Sequence, residues 1–195
     1  AGPAASGQAM NFLAHLYIAE RRSADPTGAV LGDVVRGRDL GHLPEAVAHS
    51  IRLHRRIDAV CDRHPSTRHA LAQFPAGPRR YAGIVLDLCA DHLLAREWQQ
   101  WHAEPLADFC LAQAQAIAAN SAAFVAIGRP PPEPARFAAI LADCATLDGV
   151  DRALQRISQR AREPQRLLAA TRHWRRYLGA LEPGFATLLQ DCIAA

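Results

Sequence analysis

His54 and Asp58, four residues apart in the run Ile51-Arg52-Leu53-His54-Arg55-Arg56-Ile57-Asp58-Ala59-Val60-Cys61-Asp62, are the residues whose types and spacing point most directly to chemistry. At about 100° per residue of helix they lie only about 40° apart around the axis, and Val47, Ile51 and Cys61 share that side. An imidazole and a carboxylate therefore face a core, while Arg56 points nearly the opposite way. A buried carboxylate without a partner is strongly unfavourable, so something must satisfy this pair.

His15, Asp33, Asp87, Asp91 and His92 also fall on apolar faces, and Asp87 and Asp91 are the only carboxylates between Tyr81 and Leu94. Drawn from four helices, these groups would be hard to keep charged unless a cation joined them. Imidazole with several carboxylates and no thiolate pair favours Mn²⁺ or Mg²⁺, with Fe²⁺ as an alternative, over a structural Zn²⁺ site. Such an ion lowers the pKa of water and neutralises charge on a phosphoryl group, which makes phosphoester hydrolysis the natural inference. Bland roles compete at single positions. A lone histidine such as His15 is more often a hydrogen-bonded core residue, Asp33 could cap or pair with Arg36, and Asp62 near a helix end suits a solvent-facing or capping role. The joint pattern carries the inference. Arg55 and Arg36 could each grip a phosphate with forked donors or serve as salt bridges to the same aspartates.

The elements that must position these groups read as helices. Asn11 to Ala19 has helical composition and is followed by a polar break ending at Pro26. Thr27 to Gly37 is a short apolar segment with Gly37 as a C-terminal stop. The helix of His54 starts near Pro44 and runs to about Arg63, before Pro65. A helix from about Pro78 to Trp101 is apolar all round between Tyr81 and Leu94 and hence central. Leu106 to Ile127 is Ala-rich and ends at Gly128 and the prolines Pro130, Pro131, Pro132 and Pro134. Further helices are expected over Arg136 to Cys144, Val150 to Arg162, Gln165 to Leu178 and Phe185 to Ile193. No segment alternates with period two, so the expected class is all-α.

The chain has 195 residues, half of them hydrophobic, enough for one domain with a substantial core. Ala1 to Ala9 reads as an expression remnant, Met10 as the native start and 10–195 as a single domain. The net charge of +3 argues against a nucleic-acid coat. Cys61, Cys89, Cys110, Cys144 and Cys192 form no Cys-x-x-Cys pair and suit a reducing compartment. No apolar run reaches the roughly 18 residues of a membrane span. The expectation is a cytoplasmic protein with neither a membrane nor a nucleic-acid partner.

Met10-Asn11-Phe12-Leu13-Ala14-His15-Leu16, Gly32-Asp33-Val34-Val35-Arg36-Gly37, His54-Arg55-Arg56-Ile57-Asp58 with Asp62, and Leu86-Asp87 followed by Asp91-His92 with Trp98 resemble, in order and spacing, the motifs of the acyl carrier protein phosphodiesterase family. The resemblance is specific over Met10 to Trp101 and thins to Trp174 and Ala180-Leu181-Glu182 beyond. It implies a helical bundle of the HD-domain type, dependent on Mn²⁺. Members hydrolyse the phosphodiester joining 4′-phosphopantetheine to a serine of holo-acyl carrier protein, giving apo-protein and free 4′-phosphopantetheine. Carried onto matching positions, the resemblance makes His15, Asp33, His54, Asp58, Asp91 and His92 candidate ligands or water-activating groups. Asp87 becomes a carboxylate that binds the ion or supports its ligands. The adjacent pair, Asp91-His92, sits in a different helix context from a standard HD motif.

The expected reaction is attack of an activated water on phosphorus with the serine oxygen leaving, and Arg55 or Arg36 on the phosphate. Arg152, Arg156 and Arg160, with Arg172, Arg175 and Arg176, could meet an acidic carrier protein or be solvated helix faces. Trp98, Trp101 and Trp174 could line a groove for the pantetheine arm, with core packing the stronger expectation for at least two. An HD-type nucleotide phosphohydrolase and a non-catalytic helical module for an acidic protein are the competing readings.

Overall fold

Local sequence starts and stops the helices that frame the histidines, and a glycine-lined crossing brings them together. The computed structural model describes residues 12–75, 81–161 and 163–195. The expected remnant, Met10 and Asn11 lie outside them. Among the described residues every regular element is helical, so the chain is all-α. No described helix is long and apolar enough to cross a membrane.

Helix α1 (Leu13–Arg21) is followed by α2 (Pro26–Leu31), which Asp25 caps by accepting the Thr27 N–H at 2.7 Å while Pro26 occupies the first turn. The chain leaves α2 through Gly37, at φ 85°, a conformation glycine adopts without a Cβ penalty. Helix α3 (Glu45–Arg63) places Glu45 in its first turn and Arg63 in its last, both favourable to the helix dipole. It ends because Pro65 holds His64 extended. Pro65 then opens α4 (Pro65–Ala72), capped by the His64 ring, which accepts the Ser66 N–H at 3.2 Å.

Helix α5 (Ala82–Arg96) is the central element, packed against α1 and α4 and against three later helices, α10 (Leu147–Arg160), α11 (Pro164–Thr171) and α12 (Trp174–Leu181). Its apolar residues are buried around most of the circumference. After α6 (Trp98–Trp101), the pair α7 (Leu106–Ala119) and α9 (Pro134–Asp143) packs closely, with the short α8 (Ser121–Ala126) between them in sequence. A 3-10 turn, Glu182–Gly184, leads into α13 (Phe185–Ala194), which returns to α3 and sets Cys192 Sγ 3.3 Å from Cys61 Sγ.

Several boundaries differ from the expected ones, and the helix expected over Thr27 to Gly37 ends already at Leu31. The helix expected from Pro78 to Trp101 breaks at Glu97, and residues 76–80 lie outside the described set. The Ala-rich helix breaks at Asn120, where ψ is 59° and the side-chain amide donates to Asp25 at 3.2 Å. The segment Gln165 to Leu178 is two helices meeting at Arg172 and His173. Helix α4 was not anticipated, since Pro65 ends one helix and starts the next.

Close approach of α2 to α3 depends on Gly28 and Gly32, one turn apart. A Cβ at Gly28 would collide with the Ser50 side chain and the Val47 carbonyl, and one at Gly32 with the His54 ring. Gly83, by contrast, is exposed on α5 with open space where its Cβ would go. Gly28→Ala should therefore lower stability by ~1–3 kcal/mol through overpacking. Gly83→Ala should leave it unchanged or raise it by up to ~1 kcal/mol. Urea unfolding midpoints at constant m-value measure both.

Candidate metal centre

Three helices bring the site together. Helix α1 carries His15, the turn after α2 carries Asp33, and α3 carries His54 and Asp58 on its inner side. His54 is buried, and its Nδ1 lies 2.8 Å from the Ala29 carbonyl across the α2–α3 crossing. An Nδ1–H donated to that carbonyl fixes the ring and turns Nε2 toward the carboxylates. Nε2 is 3.3 Å from Asp58 Oδ2 and 3.5 Å from Asp33 Oδ1. His15 Nε2 meets the other Asp58 oxygen at 3.3 Å, and its ring stacks on His54 with centroids 3.9 Å apart. His15, His54 and Asp58 each offer a donor atom within 4.8 Å of the other two. The His54 side chain is 2 % exposed and that of Asp58 49 %, so the cluster has a buried wall and an open mouth.

Charge explains why these groups tolerate one another. Burial alone would lower the pKa of His54, yet hydrogen bonds to Asp33 and Asp58 and their charges raise it to about 10. Burial would raise Asp58, but the bonds from His15 and His54 hold it well below the usual carboxylate range. Burial, with the neighbouring His54 charge, lowers His15 in spite of Asp58. Asp87, partly buried on α5, is pushed well above its usual range by burial and then by the negative charges of Asp58, Asp33 and Asp91. It lies in the field of the cluster, outside the tight group of three.

The remaining expected site residues face elsewhere. Asp91 is buried, and its two oxygens accept the N–H groups of Leu13 at 3.2 Å and Ala14 at 2.8 Å. Burial raises its pKa to about 7 despite those bonds. His92 turns toward α9 and α12, its Nδ1 2.8 Å from the Cys144 carbonyl and its ring edge-to-face with Trp174. Arg55 donates both arms to main chain, at 2.8 Å each, to the carbonyls of Val35 and Gly37. It clamps the loop after Asp33. Arg36 is exposed on that same loop, and Asp62 is exposed at the end of α3.

The residues present fit a divalent ion. His15 Nδ1 and Asp33 Oδ2 are buried without a hydrogen-bond partner, and donor atoms of His15, His54 and Asp58 lie within 4.8 Å of one another with Asp33 3.5 Å from His54. Oxygen and imidazole donors without thiolate suit a hard or intermediate ion. Reasoning from sequence missed the Ala29 carbonyl and Gly32. Their signal was present in the spacing of Gly28 and Gly32, which gives α2 one smooth face for close packing.

Residues 10–192 match the family described as acyl carrier protein phosphodiesterase. Among curated relatives, the acyl carrier protein phosphodiesterase of Salmonella newport (strain SL254) is 44 % identical over 91 residues, 47 % of this chain and 47 % of its own length. The protein of the same name from Escherichia coli O139:H28 (strain E24377A / ETEC) is 41 % identical over 110 residues, 55 % of this chain and 57 % of its own. That of Serratia proteamaculans (strain 568) is 44 % identical over 91 residues, again 47 % of each. The chain thus spans about half the length of the curated relatives it matches. No solved structure matches it.

Asp58→Ala should weaken binding of a divalent ion, read by calorimetry, by more than the ~10–100-fold that loss of an outer partner costs, with helicity retained. In chelator-treated protein the pH dependence has a definite sign. The raised His54 contributes stability that is full below its ordinary 6.5 and lost as pH climbs through about 10. The depressed Asp58 contributes above its ordinary 3.8 and loses that as pH falls. Melting temperature should therefore decline from neutral toward alkaline pH, and the decline should shrink in Asp58→Asn.

Proposed function

Because this chain belongs to the acyl carrier protein phosphodiesterase family, we propose that it hydrolyses the phosphodiester linking 4′-phosphopantetheine to the serine of holo-acyl carrier protein, using a divalent ion for which Mn²⁺ is the first choice. The observation that carries the reading is the convergence of His15, His54 and Asp58, with Asp33 at its edge, at the end of a cluster that opens to solvent. Residues 10–195 act in it as one domain of the HD-domain type, and the free cysteines suit the cytoplasm.

His15, His54 and the Asp58 carboxylate would hold the ion. Bound there, the ion supplies positive charge against the phosphoryl oxygens and lowers the pKa of water. The chain does the rest. The Ala29 carbonyl keeps the His54 ring oriented, and the Arg55 clamp on Val35 and Gly37 holds the loop that presents Asp33. Asp33 Oδ2, buried without a partner, accepts the proton of the attacking water. The serine oxygen leaves phosphorus and takes up a proton, so that apo-carrier and free 4′-phosphopantetheine are formed without a covalent enzyme intermediate.

Gripping the phosphate falls to exposed Arg36 rather than to Arg55, whose guanidinium is already committed. Three of the arginines first considered for docking are engaged within the chain. Arg152 pairs with Asp143, Arg175 pairs with Asp151 and covers Trp174, and Arg176 donates to Gln73. Arg36 and Arg38, beside Asp33, give an acidic carrier a nearer counterpart. Trp98 and Trp174 are buried, each donating its indole N–H, to the Glu104 carbonyl and to Asp151. They serve the core, and Trp101, half-buried, is the one left for a groove.

Incubation with holo-acyl carrier protein and Mn²⁺, followed by mass spectrometry, should show loss of the phosphopantetheine mass, and a chelator should prevent it. An unchanged carrier, with turnover of a nucleotide tested alongside, would transfer the site to nucleotide hydrolysis. Asp33→Asn should lower kcat by ~10²–10⁴-fold if it takes the proton. Arg36→Ala should act mainly on KM.

A further inference from the structure

We propose that Asp91 is a positioning residue that acts through His15, its carboxylate closing the N-terminus of α1 in place of the cap which that helix lacks and so fixing the turn that carries the histidine. The inference rests on the metal-site reading above and adds to it a residue that holds a ligand rather than the ion.

The first turn of a helix leaves N–H groups with no partner inside the helix, and a Ser, Thr, Asp or Asn at the cap usually takes them. Helix α1 has Phe12 at that position, with no side-chain cap and no acidic residue in the first turn. Its orphan N–H groups are buried against α5. There, from 78 residues further along the chain, Asp91 Oδ2 accepts the Leu13 N–H at 3.2 Å, and Oδ1 accepts that of Ala14 at 2.8 Å, 77 residues away. One carboxylate thus replaces a local cap, and its negative charge stands at the positive end of the helix dipole.

His15 is the next residue after those two amides, and its Nε2 reaches Asp58 at 3.3 Å. A shift or fraying of this first turn would move that ring directly. Neighbouring His92 does not share the task, since its Nδ1 faces the Cys144 carbonyl instead. The adjacent Asp91-His92 pair therefore divides between two jobs, one at the base of α1 and one in the packing against α9 and α12.

A double-mutant cycle on Mn²⁺ affinity, read by calorimetry, tests this. Asp91→Ala should weaken binding by ~10–100-fold, as loss of an outer partner does, with stoichiometry unchanged. In a His15→Ala background the same change should cost almost nothing more, because the ring it positions is gone. Asp91→Asn should restore part of the affinity, since its one amide oxygen can accept one of the two N–H groups while its NH2 meets the other. Losses that add in the double variant would make Asp91 a ligand and overturn the proposal. Native affinity in Asp91→Ala would reduce it to a fold-stabilising residue and overturn it equally. Should Asp91→Ala not fold, the smaller loss in Asp91→Asn must still vanish in the His15→Ala background, and its persistence there would decide against. Native protein that binds no Mn²⁺, or Asp58→Ala that binds it as well as native, would instead sink the metal-site reading on which the proposal stands.

Discussion

The contact between His54 Nδ1 and the Ala29 carbonyl exists only where two helices lie nearly backbone to side chain. Gly28 and Gly32 provide that proximity, the first against Val47 and Ser50 and the second against the His54 ring itself. Once α2 is seated, its following turn delivers Asp33 to Nε2 of the same imidazole, and Arg55 ties the loop back to α3 through two main-chain carbonyls. Packing of this kind tolerates little change in volume. The site is thus a by-product of one helix crossing, in which the missing side chains matter as much as those present.

The electrostatics follow from the same crossing. Asp33 and Asp58 converge on a single imidazole that burial alone would keep neutral, and together they outweigh that penalty. Asp87 shows the reverse effect, its acidity suppressed by burial and by the carboxylates around it. A cluster with more negative than positive groups, half enclosed and with unpartnered atoms on His15 and Asp33, is balanced for an added cation. The exposed face of Asp58 marks the direction from which a large substrate could approach, since the opposite wall is closed by the stacked histidine rings.

Helical periodicity made α3 legible almost to the residue, because Pro44 and Pro65 bracket it and its polar and apolar faces separate cleanly. It also placed His54 and Asp58 on one side, where the structure has them with His15 and Asp33. Breaks at Glu97 and Asn120 were not legible, as neither carries a glycine or proline, and tertiary contacts such as Asn120 with Asp25 set them. Nor was the direction of Asp91 and His92. Periodicity puts both on buried faces of α5, but an element buried nearly all round has several neighbours, and sequence spacing does not say which neighbour each face meets. Arg55 misled for a related reason, since its partners are carbonyls of a loop whose path leaves no signature in side-chain type.

The bonds from Asp91 to the amides of Leu13 and Ala14 carry a consequence for the order in which the protein is made. Synthesis runs from the N-terminus, so α1, α2 and α3 emerge with every histidine and aspartate of the cluster already in place. The acceptors for the first turn of α1 belong to α5, however, and arrive only with residue 91. Closing so long a loop is an entropic cost met late in folding. A nascent chain that stops short of α5 would hold the full set of converging donors and still leave α1 unanchored, so the centre matures as one unit across the first half of the chain.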